Sequence, residues 1–182
     1  MNTRAQTAKA QLDGFIDRYS PEVAKIARAA YALMRKRLPA ATVLVYDNYN
    51  ALAIGFGPTE RTSGIVFSLA VYPRWVSLFF AKGVGLPDPG KRLKGGGNVV
   101  RHVVLEGVRT LDEPDIRDLM QAALKRAGVS MSARKRGPLL IKSISARQRP
   151  RRPVQEEKGK PQKSWPTQIP EGTKNTKKNT KR

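Results

Sequence analysis

The spacing of apolar residues in this chain changes once, at Thr42, and that change limits the fold more than any other feature. Upstream, Val23, Ile26, Ala27, Ala30, Tyr31, Leu33, Met34 and Leu38 recur three and four residues apart, the period of one buried helix face. Ser20 offers an N-cap oxygen, Pro21 stands at the first helical position where its missing N–H costs nothing, and Glu22 meets the positive end of the helix dipole. Arg35, Lys36 and Arg37 suit the opposite end, and Pro39 stops the helix. A shorter helix is predicted over 9–19, weakened by Gly14 near its middle.

Beyond Thr42 the period falls to two and β-branched and aromatic residues dominate, which predicts strands at 42–46, 51–57, 64–72, 75–82 and 98–106. Their connections, Asp47 to Asn50, Pro58 to Arg61 and Tyr72 to Arg74, are short enough for hairpins, so an antiparallel meander is expected. A third helix is predicted over 111–128, capped by Asp112 and ended by Gly128, and a last strand over 138–145. The fold class is therefore α+β, an antiparallel sheet of about five to six strands packed against N-terminal helices and one later helix.

The apolar residues are concentrated between Leu12 and Ile144, and the remainder of the chain is a different material. Of the formal charge of +21, residues 147–182 carry +9, and five prolines from Pro150 to Pro170 interrupt any regular element. The expected organisation is one domain over 9–148 and a disordered basic tail over 149–182, with non-specific nucleic acid as a partner for residues 147–182. The chain has no cysteine, which excludes disulfides and thiolate metal sites. The polar start lacks a secretory apolar run, and the longest uncharged stretch, Thr62 to Pro73, is too short for a membrane span, so a cytoplasmic protein with no membrane partner is expected.

Chemistry-bearing residues are few. Tyr46, Asp47, Asn48, Tyr49 and Asn50 combine aromatics with polar groups and can line a small-ligand pocket, yet the same composition is good turn chemistry. The basic, glycine-rich stretch Lys91 to Asn98 can form an anion-binding nest around Gly95 and Gly97 with Lys94 and Arg101 supplying charge, or it can be a plain turn. His102, the sole imidazole, shares a strand face with Val100 and Val104, as a half-buried packed histidine or as part of that site. Trp75, Phe79 and Phe80 read as core or sheet-face packing. No nucleophile motif, paired carboxylates at recognisable spacing or cofactor fingerprint is present, so the reading leans away from an enzyme and assigns no cofactor, catalytic group or metal ligand.

Several separated stretches, Val45 to Leu52, Gly55-Phe56-Gly57, Tyr72 to Phe79, Leu86 to Pro89, Gly95 to Gly97 with Arg101-His102, and Ile141 to Gln148, occur in the order that resembles the YdhG-like family. The resemblance covers about Leu12 to Arg152 and implies a small α+β fold related in outline to frataxin. It also implies a domain of uncharacterised role, some of whose relatives are described as iron chaperones. In this chain Asp13, Asp17 and Glu22 alternate with Arg18, Lys25 and Arg28, so no acidic ridge forms. The function expected is a non-enzymatic small-ligand or chaperone-like binding module, with a small anionic ligand near the Tyr46 to Asn50 and glycine-rich loops. The alternative is a nucleic-acid-associated protein held by its basic tail.

Overall fold

The structure, a computed structural model, describes residues 7–133 and 136–153. Two N-terminal helices, α1 (Ala8–Asp17) and α2 (Pro21–Arg37), lead into β1 (Thr42–Asp47), β2 (Leu52–Gly57), β3 (Phe67–Val71), β4 (Val76–Phe80) and β5 (Arg101–Leu105), then α3 (Pro114–Ala127) and β6 (Leu139–Ile144). The Thr7 hydroxyl caps α1 by accepting from Ala10 N at 3.2 Å, and Ser20 caps α2 by accepting from Val23 N at 3.4 Å. The third helix starts later than its sequence predicts. Asp112 ends a short 3-10 turn, Val108–Asp112, and Pro114 opens α3, while Gly128 closes it at φ 63.

The strands form one sheet in the order β5-β4-β3-β2-β1-β6. From β1 to β5 it is the antiparallel meander expected, with Thr42 opposite Gly57 and Phe79 opposite both Ser68 and His102. The expectation of a wholly antiparallel sheet fails at β6, which pairs with β1 in parallel, with a register shift between Val45 and Tyr46. No hairpin fixes the direction of β6. It follows α3, which carries the chain from one sheet edge to the other, and a crossover of that length admits parallel pairing. Strands β3, β4 and β5 are also shorter than predicted; Thr62–Gly64 turns before β3, and Asn98 to Val100 remain in an exposed loop before β5.

Alternation places Val45, Leu52, Ile54, Phe56, Phe67, Leu69, Leu78, Phe80 and Val103 on one face, where they join Leu12, Ile16, Ala27, Met34, Ile116 and Leu119 of the helices in one core. Tyr19 crosses this core. Its hydroxyl donates to Val71 O at 2.9 Å and accepts from Leu52 N at 3.0 Å, satisfying a phenol whose pKa burial raises. Among the described residues no helix covers the other face. The β2–β3 connection folds over one end of it, where Ile65 lies so close that a Cβ on Gly55 would come within 2.6 Å of Ile65 Cδ1. A Cβ on Gly57 would meet Gly64 O at the same distance, which accounts for glycine on both sides of the inward Phe56.

The segment read as the start of a tail is instead part of the domain as far as Pro153. Arg151 is 5% exposed and Arg152 donates to Tyr19 O at 3.2 Å. The cause is Asp47, which is fully buried on the helix side of β1 and accepts from Arg18, Gln148 and Arg151, the last at 2.7 Å. A buried carboxylate requires countercharge, and the chain supplies it from both ends of the domain. The expected tail beyond residue 153 lies outside the described residues.

Candidate functional site

Alternation along β2 and β3 puts large residues into the core and small ones on the uncovered face. Ala51 and Ala53, Ser68 and Ala70, with Ala81 beyond β4, form the floor of an open groove of about 480 Å³. Tyr49 with Asn48 and Asn50 of the β1–β2 loop stands on one side, and Tyr72, Phe79 and Val100 on the other. The walls are aromatic and partly stacked already. Phe79 lies against the His102 ring with centroids 4.9 Å apart and planes 22° apart, and Tyr72 against Trp75 at 5.1 Å and 28°. Tyr49 and Trp75 are 49% and 44% exposed, unusual for rings of that size, so Trp75, for which the sequence allows core or sheet-face packing, does not pack into the core. Phe80 does, edge-on to Phe67. Ser77, beside Ala70 across the sheet, is buried, and its hydroxyl has no partner among the described residues.

The candidate residues from sequence divide in two. Asn48 and Tyr49 line this groove, and His102 backs its Phe79 wall. Burial, with the charge of Lys94 adding to it, lowers the His102 pKa from its usual 6.5 and favours neutral imidazole. Tyr46 lies on the same sheet face, but its hydroxyl meets Thr62 Oγ1 at 2.7 Å under the β2–β3 connection. Asp47 points the opposite way, into the ion-pair network, and cannot reach a ligand in the groove.

In the glycine-rich loop, Lys94 and His102 exchange backbone hydrogen bonds of 2.8 and 3.0 Å, and Gly95 follows at φ 119, a conformation few other residues adopt. The Arg101 guanidinium donates to the carbonyls of Gly97 and Val100, so around this cation the loop offers oxygens rather than the N–H groups of an anion nest. The floor residues escaped sequence reading because alanine and serine carry no chemistry. The available signal was positional: every second residue of Leu52 to Phe56 and Phe67 to Val71 is small.

Among the described residues no group of three or more His, Cys, Asp or Glu side chains is placed to hold a metal ion. Asp13 pairs with Lys9 at 2.5 Å, Asp17 with Arg28, and Asp47 with two arginines. Among the described residues no helix is long and apolar enough to cross a membrane. No protein-family model, curated protein or solved structure matches the chain.

Proposed function

We propose that the chain is a non-enzymatic binding module, of the YdhG-like kind its motifs resemble, whose uncovered sheet face takes a small planar ligand. One observation carries this reading: a groove with a floor of alanine and serine between aromatic walls, with Asn48, Tyr49 and Asn50 of the β1–β2 loop that the sequence singles out along one side. A flat ring lying on Ala53 and Ala70 meets Tyr49 on one side and Phe79 and Tyr72 on the other, and each such stacking contact contributes about 1–3 kcal/mol. Asn48 and Asn50 supply donors and acceptors at the edge, the few polar groups that orient a ligand in an otherwise apolar site. The sparse, paired carboxylates do not favour iron delivery.

Anilinonaphthalene sulfonate, a flat fluorescent probe, tests the reading. It should bind the folded chain saturably at one site, and Ala53→Leu, which fills the floor while keeping an apolar surface, should weaken it about tenfold, the effect of about 1.4 kcal/mol. Equal binding by the variant would remove the groove from consideration. The alternative of nucleic-acid attachment through residues 147–182 has one free cation fewer than the sequence suggests, since Arg151 is committed to the buried Asp47.

A further inference from the structure

A second cavity lies on the helical side of the molecule, away from the groove. The cleft between α1, α2 and the segment leading into β6 encloses about 630 Å³ and is lined by Lys9, Arg28, Arg35, Lys36 and Arg136, with Asp13 the one carboxylate of its lining. Two of these cations are neutralised locally, Lys9 by Asp13 and Arg28 by Asp17. Arg35, Lys36 and Arg136 have no carboxylate partner among the described residues.

Arg35 is the informative one. It is 7% exposed, and its two terminal nitrogens are fixed at 2.8 Å to Ala41 O and Gly137 O, while its Nε is buried with no partner among the described residues. A guanidinium anchored to backbone carbonyls keeps its full charge and loses none of its order when an anion arrives. Desolvation lowers its pKa, Tyr31 opposes that, and the neighbouring Arg136 lowers it further, so like charges meet at the wall of the cleft. An anion in the cleft relieves that crowding.

We propose that this cleft is a binding site for a small phosphate-bearing anion, held by Arg35, Lys36 and Arg136. Phosphate chemistry fits because two arginines and a lysine line one cleft, and a phosphate offers them several equivalent oxygens rather than a single carboxylate edge. Tyr31, lining the same cleft and 7% exposed, gives it one apolar wall.

The test uses the full chain and inorganic pyrophosphate, by titration calorimetry at about 150 mM salt, where attraction to scattered surface charge is screened. Pyrophosphate should bind at one site per chain, and Lys36→Ala with Arg136→Ala should weaken it about tenfold or more, the loss of two charge-assisted hydrogen bonds. The charge-matched variant Arg109→Ala with Lys142→Ala, both exposed and outside the cleft, should bind as the parent does. Circular dichroism melting confirms that all are folded. No binding by the parent, several equivalent sites, or equal weakening in both double variants would overturn the assignment, the last two because they indicate attraction to net charge alone.

Discussion

Replacing Arg151 with alanine removes a side chain 104 residues away from its buried partner and isolates what the C-terminal segment does for the fold. Arg151 donates to Asp47 Oδ1 at 2.7 Å and to Asn48 O, and its guanidinium lies 5.7 Å from the centroid of the Tyr19 ring. The side chains of both ion-pair partners are almost wholly excluded from water, at 3% and 0% exposure. Breaking such a pair by removing one partner costs about 3–5 kcal/mol, because the other charge stays buried. Arg18 and Gln148 still reach Asp47 in the variant, which places the expected loss near the lower figure. For a chain of this size about 3 kcal/mol lowers the melting temperature by about 6–12 °C. Thermal and urea denaturation measure it directly. Truncation gives an independent check: deleting 149–182 should cost at least as much as Arg151→Ala, whereas deleting 154–182 should cost almost nothing, since the sparse apolar residues there cannot offset an ordering entropy of about 1–2 kcal/mol per residue. An Arg151→Ala protein that melts within about 1 °C of the parent would refute the view that this pair closes the domain.

Two other perturbations have clear signs. The lowered His102 pKa means that the folded chain binds fewer protons than the unfolded one between its folded value and about 6.5, so this contribution is complete above about pH 6.5 and is lost as pH falls through that window. His102→Gln should flatten that part of a stability-against-pH curve, and an unchanged slope would show that the imidazole is not what titrates. Gly137→Ala puts a Cβ 2.2 Å from Ala41 O, a backbone atom that cannot swing aside, and should destabilise by about 1–3 kcal/mol in urea. A loss under about 0.5 kcal/mol would mean that the junction of β6 with β1 has room to move.

Much of the architecture was legible because it is written in short-range chemistry. Ser20 and Pro21 begin α2, the switch from period 3.6 to period 2 marks β1, and Gly128 takes the left-handed conformation that ends α3. The parallel pairing of β6 was not legible, because nothing local distinguishes a strand that reverses from one that crosses over. Asp47 was misplaced for a related reason. Asp-Asn-Tyr-Asn is good turn composition, and only the parity of Val43, Val45 and Asp47, all on the core face, betrays an inward carboxylate. Once Asp47 is inward a cation is required, yet Arg151 sits among so many other basic residues that density alone assigns it to solvent. For the candidate groove, Asn48 and Tyr49 of the β1–β2 loop were singled out, the glycine-rich loop lies outside it, and its floor was not seen, since a floor of small side chains is recognised only when the strands are laid side by side.

The pairing of Asp47 with Arg151, and of β1 with β6, also sets an order of events during synthesis. Chains are made from the N-terminus, and β1 through β5 with both leading helices are complete well before Leu139 exists. Throughout that interval the outer edge of β1 offers unpaired backbone groups and Asp47 lacks one of its two arginines, so the nascent sheet has an open, sticky margin at the strand that will become interior. Strand β6 thus acts as a seal, and a chain cut short before Leu139 keeps the margin open to any other strand it meets.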